Sequence, residues 1–180
     1  DSLPSRGLGD VYKRQGVISG KDDAKVVLAS SSGYGFIAQL IDLQTKNKSG
    51  KAAIRVQENA KVLKPCLVDS ENDYIAALTN QGRMLVFPCS ELPQLARGKG
   101  NKIIGIPKPS FESGEDFLQE VITLREGEEL KLISGKRYFS IKYKDLENFS
   151  GNRGRRGNFL PKGFRKVDRV EVIRLNTQKE

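Results

Sequence analysis

Residues 33–56, GYGFIAQLIDLQTKNKSGKAAIRV, and residues 82–106, GRMLVFPCSELPQLARGKGNKIIGI, are two copies of one pattern. Each opens on a glycine, runs through a short apolar stretch and reaches an acid-leucine pair, Asp42-Leu43 or Glu91-Leu92. Each then passes through a glycine-and-base segment into a further apolar stretch. A third copy opens at Gly135 and contains Asp145-Leu146 and the segment NRGRRG from Asn152. The opening glycines are 49 and 53 residues apart, and the glycine-to-leucine distances are 10, 10 and 11. Residues 50–56 (GKAAIRV) and 100–106 (GNKIIGI) align without a gap. A period near 50 residues, made of about four short strands, is the signature of a blade. One such sheet cannot bury both its faces alone, and packing copies face to face around an axis solves this. About three four-stranded blades are expected, which form an incomplete ring.

The segments around this repeat read as strands. KVVLAS from Lys25, KVLKPCLV from Lys61, YIAALT from Tyr74, FLQEVITL from Phe117, ELKLIS from Glu129, RYFSIKY from Arg137 and RVEVIRL from Arg169 are short and rich in Val, Ile, Phe and Tyr. Such residues suit a pleated, half-buried surface. Turn signals separate them: SSGYG, TNQGR, REGEE, ISGKR and SGNRG. AAIRV at 52–56 and IIGI at 103–106 read as further strands, and PKPSFESGED at 107–116 as an ordered loop between repeats. No long segment carries a helical stripe. The fold class is all-β.

Composition narrows the chemistry. The 180 residues hold 31 Lys and Arg against 22 Asp and Glu, a net charge of +9, with no histidine and two cysteines. A Ser-His-Asp triad, a Cys-His dyad and imidazole zinc sites are therefore excluded. Two thiols are too few for a disulfide scaffold. No run of 18 apolar residues occurs, so no membrane-spanning helix is expected. The charge is uneven: residues 131–180 hold 14 Lys and Arg against 5 Asp and Glu, and residues 16–130 hold 14 against 15. A cationic excess interleaved with glycine favours a polyanionic partner.

Residues 5–15, SRGLGDVYKRQ, back-translate without interruption into a transposase adapter used in DNA sequencing libraries. Residues 1–15 are accordingly read as a non-native arm, and residues 16–180 as the domain. On that reading the chain is a fragment of a longer protein. The arm lacks the apolar region of a signal peptide, and a cytoplasmic location is expected.

The segment ASSSGYGFIAQLIDLQTKNKSGKAAIRV resembles the blade sequence in the C-terminal domain of bacterial type IIA topoisomerase A subunits. GRMLVFPCSELPQLARGKGNKIIGIP and GNRGRRGNFLPKGFRKVDRVEV are similar to the topoisomerase IV branch of that family. The resemblance covers nearly everything from Lys25 to Ile173. It implies a β-pinwheel, a propeller-like ring whose blades exchange strands. It also implies a non-catalytic domain whose basic rim binds and bends duplex DNA and presents it to a catalytic core. The parent would be a heterotetramer with an ATPase B subunit, using ATP and Mg2+ bound elsewhere for strand passage, decatenation and supercoil relaxation. No cofactor is implied for this fragment. The gyrase branch carries a Gln-Arg-Arg-Gly-Gly-Lys-Gly box that wraps DNA. RGKGNK at Arg97 and NRGRRG at Asn152 echo it only in part, so a gyrase-type wrapping domain is an alternative.

The residues themselves support the same partner. Docked lysine and arginine release counterions from duplex DNA. Glycine lets backbone amides approach phosphate, and arginine forks onto its oxygens. Equivalent loops in a ring would line one rim, which suits backbone reading and bending. The candidates are Lys48, Lys51, Arg97, Lys99, Lys102, Arg153, Arg155 and Arg156, followed by Lys136, Arg137, Arg165 and Lys166. The plain alternative is that these are solvated turn residues. Phe36, Phe87 and Tyr138 read as core rather than as stacking platforms, which disfavours single-strand recognition. Glu126, Glu128 and Glu129 read as turn charges, although paired carboxylates could serve a small hydrolase. Cys66 and Cys89 read as buried thiols. A propeller-type protein-interaction scaffold is the remaining alternative.

Overall fold

The computed structural model describes residues 17–174. The arm assigned to residues 1–15 lies outside the described residues. The first module contains the hairpin β1 (Lys25–Ala29) and β2 (Tyr34–Gln39), the short helix α1 (Leu40–Leu43) and the return strand β3 (Cys66–Val68). The second contains the hairpin β4 (Tyr74–Thr79) and β5 (Arg83–Pro88), and a 3-10 turn at Cys89–Glu91. It continues through β6 (Asn101–Lys102), the helix α2 (Lys108–Glu112) and the return strand β7 (Leu118–Leu124). The third contains the hairpin β8 (Glu129–Ser134) and β9 (Arg137–Ile141), and a 3-10 segment at Tyr143–Phe149. It ends with β10 (Asn158–Phe159) and the return strand β11 (Arg169–Ile173). No helix among the described residues is long and apolar enough to cross a membrane.

All pairings between strands are antiparallel, in three sheets ordered β3-β1-β2-β6, β10-β5-β4-β7 and β11-β8-β9. Each return strand pairs with the first strand of its own hairpin. The fourth strand comes from elsewhere. β6 follows the second hairpin yet pairs with β2 of the first, Gly35 facing Asn101. β10 follows the third hairpin and pairs with β5 of the second, Met84 facing Asn158. This exchange makes the assembly a pinwheel rather than a stack of closed sheets.

Burial explains the apolar runs. Side chains alternate across a strand, and here both faces are covered. In β4 and β5, Ile75, Ala77, Leu85 and Phe87 enter the core shared with the first sheet. Ala76, Leu78, Met84 and Val86 enter the core shared with the third. In β1 and β2, Val27, Ala29 and Ile37 face the second sheet, and Val26, Leu28, Phe36 and Ala38 pack under α1 and residues 53–54. The third sheet departs from this rule. Leu130, Leu132 and Ile141 face inward, but Tyr138 on the other face is 63% exposed. Tyr138 is thus not core, unlike Phe36 and Phe87, which are fully buried.

Three details differ from the sequence-based expectation. The exchanged strands are two-residue pieces, β6 at the end of the second glycine-and-base segment and β10 directly after the third, and neither 52–56 nor 103–106 is a strand, although Ile54 makes an isolated bridge to Gly98. Those apolar residues fill cores: Ile103 and Ile104 are fully buried between the first two sheets. The 107–116 segment carries α2, with Pro109 in the first turn, where its missing amide costs no intrahelical bond. The third sheet has three strands among the described residues, because β9 has no exchanged partner there.

The glycine before each exchanged strand sets how closely two modules approach. Gly100 has φ 79°, and a Cβ there would lie 2.0 Å from the Gly35 carbonyl oxygen. At Gly157, φ 73°, it would lie 2.5 Å from the Met84 carbonyl oxygen. The aligned Gly50 has φ 84° but nothing within 4 Å. Gly50→Ala should therefore cost only the conformational strain of about 1 kcal/mol. Gly100→Ala adds a backbone collision and should cost about 3 kcal/mol or more. Urea unfolding of the two variants checks the difference.

Candidate nucleic-acid interface

Backbone hydrogen bonds join the stretch after the first glycine-and-base segment to the second segment, and the stretch after the second to the third. The Gly98 amide donates to the Ala53 carbonyl (3.0 Å), and the Arg55 amide donates to the Gly98 carbonyl (2.7 Å). One repeat later, the Gly154 amide donates to the Ile103 carbonyl (2.9 Å), and the Gly105 amide donates to the Arg155 carbonyl (2.8 Å). Ala53 and Arg55 occupy the aligned positions of Ile103 and Gly105. The tail of each segment thus grips the next segment in the same way. Gly105 permits the approach, since a Cβ there would lie 2.9 Å from the Gly154 carbonyl oxygen. The result is a continuous seam of paired backbone from which the basic side chains project.

The side chains on this seam do different jobs. Arg97, Lys102 and Arg155 are exposed. Arg153 is half-buried and tied down: its amide donates to Glu91 Oε2 (3.1 Å), Nε to the Glu91 carbonyl (2.9 Å) and Nη1 to the Lys102 carbonyl (2.7 Å). Lys99 lies over the Tyr34 ring, 3.9 Å from its centroid. Arg156 pairs with the buried carboxylate of Asp116 at 3.4 Å. Lys48 is exposed at the far end, and the Lys51 ammonium donates to the Asp42 carbonyl. Lys136 and Arg137 sit at the third hairpin turn, where Arg137 Nη2 donates to the Gly163 carbonyl (3.1 Å). That contact links the turn to the exposed residues Arg165 and Lys166. The geometry therefore gathers Arg97, Lys99, Lys102, Arg153, Arg155 and Arg156 into one seam. Lys48 and Lys51 stand apart from it.

Sequence reading missed Arg83. Its guanidinium lies 3.8 Å from the Phe159 ring centroid, and Nη1 donates to the Gly157 carbonyl at 3.2 Å. A signal was present, because Arg83 follows the hairpin glycine Gly82 as Lys136 follows Gly135.

Known proteins share this fold. The family model described as the DNA gyrase C-terminal domain, beta-propeller, matches residues 24–65 and 73–131. The chain belongs to this family. The A subunit of DNA topoisomerase 4 from Pseudomonas aeruginosa is 50% identical over 152 residues, which cover 84% of this chain and 20% of that protein. Its counterpart in Escherichia coli K12 is 43% identical over 151 residues, 84% of this chain and 20% of that protein. The chain thus spans about a fifth of the length of these relatives. The solved structure of the E. coli ParC C-terminal domain superposes with a TM-score of 0.80 at 42% identity, covering 86% of this chain and 62% of that one. The C-terminal domain of DNA gyrase A shares the fold, with a TM-score of 0.68 at 15% identity, covering 96% of this chain and 59% of that one.

In this member of the gyrase C-terminal domain family, Glu128 of the acidic turn is held by its neighbours. Glu128 Oε2 accepts from the Arg125 amide (2.8 Å), and its other oxygen lies 3.9 Å from Arg174 Nε. Among the described residues, no three His, Cys, Asp or Glu side chains gather as metal ligands would. Both thiols are free; burial pushes Cys66 up to about 12 and Cys89 up to about 11.

Arg153→Ala should lower stability by about 1.5–3 kcal/mol, because it removes bonds from a charged donor to carbonyls. Arg155→Ala should stay within about 0.5 kcal/mol of the parent. Thermal melting of both variants checks this. A thiolate is the reactive form of cysteine, so iodoacetamide at pH 8 should leave Cys66 and Cys89 unmodified in the folded chain and label both in urea. Mass spectrometry reads the outcome.

Proposed function

We propose that this chain binds and bends duplex DNA along the seam of glycine-and-base segments, as the non-catalytic C-terminal domain of a topoisomerase IV A subunit. The seam carries the reading. Its backbone hydrogen bonds hold successive cationic segments against one another, and the exposure of Arg97, Lys102 and Arg155 on them supports a shared edge for phosphate contacts. A rigid row of cations follows a phosphate backbone and makes bending favourable, because each further contact offsets part of the deformation energy. Contacts to phosphate position the protein without reading bases, so sequence preference is low.

In the full enzyme this domain presents a DNA segment to the core that cleaves, passes and reseals strands during decatenation and supercoil relaxation. That chemistry uses ATP and Mg2+ held elsewhere, in a heterotetramer with the ATPase B subunit, at the cytoplasmic nucleoid. The fragment needs no cofactor of its own. The identities of 50% and 43% with topoisomerase 4 A subunits favour that branch over a gyrase-type wrapping domain.

The test is fluorescence anisotropy of a labelled duplex of mixed sequence across a salt series. The logarithm of affinity should fall linearly with the logarithm of salt concentration. Changing Arg97, Lys102 and Arg155 together to alanine should reduce that slope by about 3 and weaken binding to AT-rich and GC-rich duplexes alike. Salt-independent binding, or none at low salt by a folded sample, would overturn the reading.

A further inference from the structure

At one place the seam is more than a row of solvated cations. Arg83 opens β5, Arg156 is the last base of the third glycine-and-base segment, and Arg165 lies in the connection to β11. Three segments bring them together, and the backbones of those segments are locked. A Cβ on Gly82 would lie 2.4 Å from the Arg165 Cα, and one on Gly157 would lie 2.5 Å from the Met84 carbonyl oxygen. The Leu160 amide donates to the Gly82 carbonyl at 2.8 Å. The Arg83 and Arg165 guanidinium groups both lie over Phe159, at 3.8 and 4.4 Å from the ring centroid. Phe159 is 44% exposed, so this cluster opens to solvent.

The charges do not balance. Arg156, Arg165 and Asp116 are the charged groups that act on Arg83, leaving three cations around one carboxylate. Asp116 is 4% exposed and its Oδ2 holds Arg156 at 3.4 Å. Two buried polar atoms have no partner among the described residues, Arg83 Nε and Asp116 Oδ1. Burial and the neighbouring Arg156 push the Arg83 pKa below its usual value, and burial raises that of Asp116. An unpaired buried donor beside excess positive charge is a place where an anion gains more than it would in open solvent.

We propose that Arg83, Arg156 and Arg165 form a phosphate site at the junction of the second and third modules. It takes one backbone phosphodiester of a duplex, and Asp116 is the built-in counter-ion that competes with the phosphate for Arg156. Forked guanidinium groups match phosphate oxygens, and stacking on Phe159 fixes two of them in advance. Asp116 keeps Arg156 in place in the free protein and weakens the bound state. The inference rests on the duplex-binding reading and assigns it a discrete contact.

The experiment measures anisotropy of a labelled 20-base-pair duplex across a salt series for the parent chain, Arg165→Ala, Arg83→Lys and Asp116→Asn. Arg165→Ala should weaken binding about tenfold and lower the salt slope by about 1. Arg83→Lys keeps the charge and loses the fork, and should weaken binding about fivefold with a near-parental slope. Asp116→Asn should tighten binding about three- to tenfold, whereas a purely structural role would leave it unchanged or weaker. If the parent binds in a salt-dependent way and both arginine variants bind equally well, this site is overturned while duplex binding stands. If the parent binds no duplex, both fall. Should Asp116→Asn melt early, the two arginine variants decide the matter.

Discussion

The structure depends on two-sided burial of its hairpins. Ile75 and Ala76 are neighbours in the chain, yet they enter different cores on opposite sides of one sheet. The same division recurs along β5 and in β1 and β2. A sheet built this way exposes apolar surface on whichever side lacks a neighbour, and each apolar side chain so exposed forfeits roughly 1.5–3 kcal/mol. Packing side by side is therefore a condition of folding for each module. The third hairpin shows what happens where the condition relaxes. Its outer face carries Lys131 and the 63% exposed Tyr138 instead of a second apolar row, and Lys131 lies 4.6 Å from the Tyr138 ring centroid.

Strand exchange turns this packing constraint into a surface. β6 and β10 reach back to the preceding hairpin, and the basic segments carry the first and lead directly into the second. Glycine serves both purposes. Gly100 and Gly157 let the exchanged backbone touch its neighbour, and Gly105 lets one segment tail lie against the next. The cations between these glycines are consequently spaced by the module repeat. Some hold the seam together, as Arg153 does through Glu91 and Lys102. Others, such as Arg97 and Arg155, remain exposed. One polar line thus combines assembly and presentation of charge.

Much of this was legible in the residues. The hairpin glycines, the acid-leucine pairs and the period near 50 residues mark three modules, and the short helical turns after β2, β5 and β9 coincide with those pairs. The candidate site was legible as a set of basic segments, and less so residue by residue. Arg153 and Arg155 are two positions apart in one basic run and look alike on paper. One is anchored by a glutamate 62 positions away, and the other is exposed. Arg83 escaped notice because its one local mark, the hairpin glycine before it, does not separate it from an ordinary turn cation. Its partners Gly157 and Phe159 lie more than seventy residues further on.

The order of the residues was enough to specify the all-β class, the three modules, the positive balance and the location of the basic segments, because these follow from local period, turn chemistry and charge. Folding in three dimensions settled which hairpin each exchanged strand joins, which cations are occupied by carbonyls, carboxylates or rings, and that three arginines from separate segments meet around Phe159 and Asp116. Those outcomes depend on contacts between residues far apart in the chain. Such contacts are set by how the sheets share their cores, and no short window of sequence encodes them.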